Sequence, residues 1–385
     1  MEQSSGVGHH LVLVGGGHSH VEVLRERGRE PVPGGRVTVV VDRPTAVYSG
    51  MVPGFVAGQY GLQDIEIDVR GLARRAGAAW VGARATRLDP EARLIFVDGG
   101  APVPYDTVSF DVGSTVSGLD RPGIKEHALR TRPIADFVRS VDTLIERARS
   151  RSGFRLVVVG AGAGGVELAF AFSARFARAR LTGASVALLE SGPRVLAGYP
   201  ASSARRIERN ARVRGIAIRC GTKVAEAHAD RLVLESGEAM PCDAFVWVAG
   251  AVGLPLFDGS GLERDERDFV KVRETLQAVG HDDIFATGDC ASLVTAPDLA
   301  KAGVYAVRQG PVLARNVRAR LTGRPLAPYR PQRDFLSLLN LGDGRAVASK
   351  WGISAEGAWA WRLKDRIDRR FVLRYRATAE SLPPR

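Results

Sequence analysis

Residues 155–169 read RLVVVGAGAGGVELA. An apolar run, Leu156 to Val159, enters three glycines spaced G-x-G-x-x-G: Gly160, Gly162 and Gly165. A helix-prone stretch follows through Phe170 and Phe172. The first glycine permits a tight turn, the second lets a pyrophosphate approach the backbone, and the third lets helix and strand pack closely. The helix N-terminus then offers unpaired N–H groups to an anion. The next β run, SVALLE, ends at Glu190. A carboxylate there accepts from ribose hydroxyls and repels a 2′-phosphate, so this module is expected to take NADH in preference to NADPH. Arg194, four residues on, is the opposing charge.

The same layout stands near the start, less perfectly. LVLVGGGHSHVEVL (11–24) keeps Gly15 and Gly17, but His20 occupies the third glycine position. Its acidic strand, RVTVVVD, ends at Asp42. Farther on, TRLDPEARLIFVDGGAPVPYDTVSFDVG (86–113) parallels TKVAEAHADRLVLESGEAMPCDAFVWVAG (222–250). Asp106 matches Asp243 and Gly113 matches Gly250, both 137 residues apart, while the two glycine loops are 145 apart. A whole module repeated around an intact fingerprint supports a dinucleotide reading for the imperfect one. Two roles remain open for the histidines. An imidazole of His18 or His20 donates to a phosphate, or His20 packs in place of a glycine where the helix stands wider off its strand. Neither has a carboxylate or cysteine partner nearby, so no metal site is expected.

Composition bounds the rest. A chain of 385 residues suggests two or three domains, and 45% apolar with 25% charged residues is ordinary for a globular protein. The net charge of +12 comes without an aromatic-rich RNA-binding signature or a zinc finger, so nucleic acid is not an expected partner. Ala244 to Phe257, 14 residues containing Pro255, is too short to span a bilayer, and Met1 to His10 lacks the pattern of a signal peptide. A cytoplasmic location is the expectation. Cys220, Cys242 and Cys290 form no C-x-x-C pair, so neither a redox disulfide nor zinc is predicted.

The order of first glycine loop, G-x-G-x-x-G-x-E and IFATGDCASL (284–293) resembles the pyridine nucleotide-disulfide oxidoreductase superfamily, the flavoproteins with two dinucleotide-binding domains. The resemblance implies an α/β fold of two Rossmann-like domains, with FAD in the first module and NADH in the second. It places FAD on Gly15, Gly17, His18, His20, Asp42, Pro53, Gly113, Gly288 and Asp289, the last on a ribityl hydroxyl. NADH falls on Gly160, Gly162, Gly165, Glu190 and Gly250. The helix expected over 302–320 would point its N-terminus at the flavin pyrimidine, where reduction places negative charge.

Within the superfamily, residues 44–72 resemble a loop and strand of type II NADH dehydrogenases. GGGHSH, YSGMVPGFVAGQY and KAGVYAVRQGPVLARN are more similar to a flavoprotein domain found fused to selenide, water dikinase. Glu167 stands where type II enzymes keep a glutamate near the nicotinamide; proton relay and interaction with the helix N-terminus are its two readings. The flavin-side helix departs from those enzymes, which carry glutamines where quinone binds. Val304 takes the first such position, Arg308 or Gln309 the second, and Lys301, the other candidate catalytic residue, replaces a proline. The acceptor therefore stays open between a quinone and a soluble selenium or sulfur compound or electron carrier, with an FAD-binding sensor or scaffold as the non-enzymatic reading.

The expected division is 1–117 and 254–323 for FAD, with the NAD domain, 118–253, inserted between them. An amphipathic helix at 133–153 leads into the second module. A C-terminal region, 324–385, holds a hairpin around a Gly-Asp-Gly turn and then GAWAWRLKDRIDRRFVLRYR (357–376). In that tail Trp359, Leu363, Ile367 and Phe371 recur every four residues, and 359–376 carries seven basic against two acidic residues. Two readings fit. One is a helix lying on an anionic membrane, peripheral on the inner face of the cell membrane; the other is a helix packed by its apolar stripe.

Overall fold

The computed structural model describes residues 9–32 and 34–376. Residues 1–8, most of the stretch read for a leader, and 377–385 lie outside the described residues, as does Pro33. In the first module, β1 (His10–Val14) runs into the glycine turn and α1 (His18–Arg29), followed by β2 (Arg36–Val40), β3 (Ala79–Val81) and β4 (Thr107–Phe110). With the later strand Ile284–Ala286 they form a parallel sheet in the order 284–286, β4, β1, β2, β3. Every residue of β1 and β4 is buried, as expected of parallel strands covered on both faces.

The second module repeats this plan. β5 (Leu129–Arg130) and α2 (Ile134–Arg149) precede β6 (Arg155–Val159) and α3 (Ala163–Arg178), then β7 (Ser185–Leu189), β8 (Ala217–Arg219) and β9 (Ala244–Trp247). Its parallel sheet runs β5, β9, β6, β7, β8. Both modules carry a three-stranded antiparallel meander, and each meander bulges at the matching place, Ala85/Arg87 and Val224/Glu226. The duplication read in the sequence thus extends to a local irregularity. The two chain crossings between modules pair with each other, Thr115–Val116 against Ala251–Val252. The fold is α/β with two Rossmann-like units.

Helix α4 (Gly303–Leu321) packs along α1. The C-terminal hairpin, β10 (Ser337–Asn340) and β11 (Ala346–Lys350), gains a third strand, β12 (Ile353–Gly357), which leads directly into α5 (Ala358–Tyr375). The tail helix packs on a face that its apolar periodicity marks only at Phe371, which stacks on Tyr48 with ring centroids 4.4 Å apart. Ala360, Lys364, Asp368, Val372 and Tyr375 are buried, while Trp359 and Ile367 remain 51% and 46% exposed. The reason is pairing. Lys364 and Asp368 meet at 3.0 Å, Lys364 donates to the Gly50 carbonyl at 2.9 Å, and the Tyr48 hydroxyl donates to Asp368 at 3.2 Å. Buried charges are tolerable when paired and hydrogen-bonded in this way. At the helix end, Tyr375 and Arg374 reach the buried carboxylate of Glu22 on α1, at 2.8 and 2.5 Å. Among the described residues no helix is long and apolar enough to cross a membrane.

Candidate active site

The second glycine turn has the geometry that its sequence predicts. Gly160 sits at φ +105°, and a Cβ on Gly165 would overlap the Gly160 carbonyl, so a side chain has no room there. Gly162 caps α3, and nothing lies within 4 Å of where its Cβ would be. Glu190 turns back to the loop: one oxygen accepts from the Ala161 amide at 2.7 Å and the other from the Gly192 amide at 2.8 Å. Its carboxylate is thereby fixed at the lip of the turn. Arg194 donates to the carbonyls of Leu196, Ala197 and Tyr199 at 2.6–3.0 Å. Gly250, at φ +42°, backs onto Ser117.

In the first turn, Gly15 is again left-handed, at φ +95°, and Gly17 caps α1. His20 is fully enclosed. Its Nδ1 lies 2.7 Å from the Gly15 carbonyl, which can only accept, so Nδ1 carries the proton and Nε2 accepts from the Ser109 hydroxyl at 2.9 Å. Burial lowers its pKa to about 4 and keeps it neutral. The imidazole therefore bonds the carbonyl matching the one that a Cβ on Gly165 would overlap, which is how a large residue fits the third glycine position. His18, also pushed down to about 4 by burial, lies 3.3 Å from the Ser49 hydroxyl and against the rings of Tyr48 and Phe371.

Asp111, which sequence reasoning passed over, lies at the centre of this turn. Its Oδ2 accepts from the buried Ser19 and His20 amides, at 2.7 and 3.1 Å, N–H groups of the first turn of α1 that have no partner within the helix. A Cβ on Gly17 would overlap this carboxyl, and one on Gly288 would lie 2.7 Å from its Oδ1. Burial drives its pKa up to about 7 against the pull of those two amides, with Asp289 adding to the rise. The available signal was an acid at the end of an apolar strand, at the position where the sister module has Val248.

The T-G-D turn is held by Gln309, whose Oε1 accepts from Gly288 N at 2.7 Å; Gly288 itself is at φ +65°. Asp289 pairs with Arg132 at 2.7 Å. Lys301 donates to the Ala291 carbonyl and lies 3.8 Å over the Phe269 ring, and burial lowers its pKa. Asp42 pairs with Arg84 at 3.2 Å, Pro53 is buried in the short helix Val52–Val56, and Gly113 is open at φ +71°. These turns, N-terminal amides and strand-end carboxylates fit two dinucleotides.

Glu167 is brought to the C-terminal region. It accepts from the Asn340 amide at 2.8 Å, and Asn340 in turn donates to Gln59 at 2.7 Å. Burial raises the Glu167 pKa while Lys364 opposes the rise. Burial also works against the Lys364 charge, but Glu167 and Asp368 more than offset it and hold Lys364 above its ordinary value. Glu167, Lys364, Asp368 and Tyr48 thus form a polar run beneath α5. Of the positions weighed for quinone glutamines, Gln309 is occupied by Gly288, Arg308 is exposed and Val304 is half-buried. All three cysteines are unpaired thiols; burial pushes Cys290 up to about 12 and Cys242 to about 11.

The chain belongs to the pyridine nucleotide-disulphide oxidoreductase family, whose model matches residues 9–310. It is 27% identical over 317 residues to the demethylphylloquinone reductase of Synechocystis, covering 79% of this chain and 76% of that one. It is 22% identical to the type II NADH:quinone oxidoreductase of Staphylococcus saprophyticus, with 83% of each chain covered. Among solved structures, NDH2 of Plasmodium falciparum in complex with NADH superposes with a TM-score of 0.80 at 14% identity, covering 95% of this chain and 97% of that one. The sulfide:quinone oxidoreductase of Aquifex aeolicus gives a TM-score of 0.80 at 16% identity, covering 96% and 91%. The protein is an FAD-dependent NAD(P)H oxidoreductase.

Proposed function

We propose that this family member passes electrons from NADH through FAD to a quinone at a membrane surface. FAD, when bound, supplies the redox chemistry, accepting a hydride and returning electrons to the acceptor. Residues 1–117 and 254–323 are assigned to FAD, through Gly15, Gly17, Asp42, Gly113, Gly288 and Asp289. Residues 118–253 are assigned to NADH, through Gly160, Gly162, Gly165, Glu190 and Gly250. Lys301 positions Asp289 by its charge. Glu167 and Lys364 form the proton-handling pair on the acceptor side, which their burial and opposed charges support.

The observation that carries the quinone reading is the two-sided character of α5. One face holds Lys364 against the Gly50 carbonyl, while the other leaves Trp359 and Ile367 outward beside the exposed Arg362, Arg366 and Arg370. The tip of the preceding hairpin adds Trp351 and Ile353, 73% and 71% exposed. Aromatic and aliphatic groups interleaved with arginine suit the headgroup boundary of an anionic leaflet, and the two relatives named for quinones point to the same acceptor. Each basic residue near such a surface contributes about 1 kcal/mol, screened beyond about 8–10 Å at physiological salt.

The test is sedimentation of the full chain with anionic vesicles at low salt, together with NADH-driven reduction of a short-chain quinone. Changing Trp351, Ile353, Trp359 and Ile367 to serine should abolish sedimentation and leave NADH-to-flavin transfer intact. Unchanged sedimentation would remove this face from the reading. The occupied Gln309 and exposed Arg308 favour a second reading, a soluble acceptor. Rapid flavin reduction by NADH without quinone turnover would establish it.

A further inference from the structure

Asp111 lies where FAD binding in the first module, the reading on which this proposal rests, requires a diphosphate. The amides of Ser19 and His20 are the groups that a pyrophosphate engages at such a helix N-terminus, and the Asp111 carboxyl already holds both. An ionised carboxylate and a diphosphate cannot share those two donors in an enclosed site without strong repulsion. Nor can the residue withdraw easily. Its own amide donates to the Val14 carbonyl at 2.9 Å and its carbonyl accepts from Gly17 N at 3.2 Å, so the backbone is fixed to both β1 and the turn. The carboxyl lies between Gly17 and Gly288, the two glycines whose missing side chains leave it room.

We infer that Asp111 makes flavin binding proton-coupled: FAD is held with Asp111 as the neutral acid, and ionisation of this carboxyl weakens the complex. The neutral acid changes sides in the hydrogen-bond count. It releases an amide to the phosphate and donates its own O–H to a phosphate oxygen, a short charge-assisted bond. Where the free carboxyl is ionised, one proton is taken up per FAD bound and released on dissociation.

The groups facing Asp111 leave it as the one that titrates near neutrality. From α1, His18 and His20 are held neutral, with pKa values near 4. From the T-G-D turn, Cys290 stays a thiol, pushed up to about 12, and Asp289 is ion-paired with Arg132. Lys301, beyond Asp289, is tied to the Ala291 carbonyl, and Ala306 of α4 brings only a methyl group. Burial already places Asp111 near 7.

The test uses the full-length holoprotein, diluted and re-titrated with FAD between pH 6 and 9, with bound flavin read by fluorescence. Affinity should be highest at pH 6 and fall about tenfold per pH unit above 7, the slope of a one-proton linkage. Calorimetry in two buffers of different ionisation heat should show uptake of about one proton per FAD at pH 8.5 and almost none at pH 6. Asp111→Asn, which keeps the shape and an N–H donor, should bind FAD at every pH as tightly as the native chain does at pH 6. Asp111→Val, the residue of the sister module, should bind more weakly and without a slope. A flat native affinity with no proton uptake, or an Asn variant that keeps the slope, overturns the inference and leaves the flavin reading intact. Failure to bind FAD at any pH overturns both.

Discussion

The two glycine turns share a backbone and differ in what fills it. In the second module Val248 follows the strand behind the turn, Gly162 opens onto free space and Gly165 lets α3 press against the Gly160 carbonyl. In the first, Asp111 fills the space beside Gly17, and His20 bonds the Gly15 carbonyl. Strand order, meander and bulge survive this exchange because they depend on main-chain pairing and apolar packing, which the substitutions leave alone. The ligand end does not survive unchanged. There the first turn sets an acid, Asp111, on its helix amides, where the second has Val248 at the matching position.

Exchanging the third-glycine residues gives the largest expected effect. Gly165→His should cost upwards of about 3 kcal/mol through overpacking and abolish NADH-driven flavin reduction, read by urea melts and stopped-flow absorbance. His20→Gly should cost about 2–4 kcal/mol through two lost buried hydrogen bonds and a cavity while FAD stoichiometry is kept. Equal loss of cofactor in both variants would erase the distinction drawn between the turns.

The strand-end acids give a smaller contrast. Glu190→Ala should narrow the preference for NADH over NADPH about tenfold, the loss of about 1.5 kcal/mol from one charge-assisted bond. Asp42→Ala should leave that ratio unmoved and weaken FAD retention instead. A nucleotide ratio that shifts with Asp42 would mean that the modules are assigned the wrong way round. Smallest of all is the effect of the cysteines. With Cys220, Cys242 and Cys290 changed together to alanine, the protein should lose about 1–2 kcal/mol of stability. Flavin reduction should stay within about twofold, because no thiol is placed or charged for electron transfer.

Much of this was legible in the chain. Glycine spacing, β-branched runs and strand-end acids are local signals, since a left-handed turn admits glycine and a buried parallel strand needs apolar residues on both faces. They gave both glycine turns, Glu190 as the acid at the lip of the second, and the amphipathic helix that forms at Ile134–Arg149. Three features could not be read this way. The tail's four-residue stripe fitted either a packed or a membrane-lying helix, and neither reading named Lys364 and Asp368 as the buried pair, because their partners Gly50 and Tyr48 lie more than 300 residues earlier. His20 stood as a flaw in a fingerprint until Ser109 and the Gly15 carbonyl came to its two nitrogens. Asp111 was an acid in an apolar strand until folding set it on the amides of Ser19 and His20. Local sequence was enough to say where the chain turns and which glycines leave the backbone open there. Which charges are buried, and against what, emerged only on folding, because the cost of burying a charge depends on partners that no local pattern names.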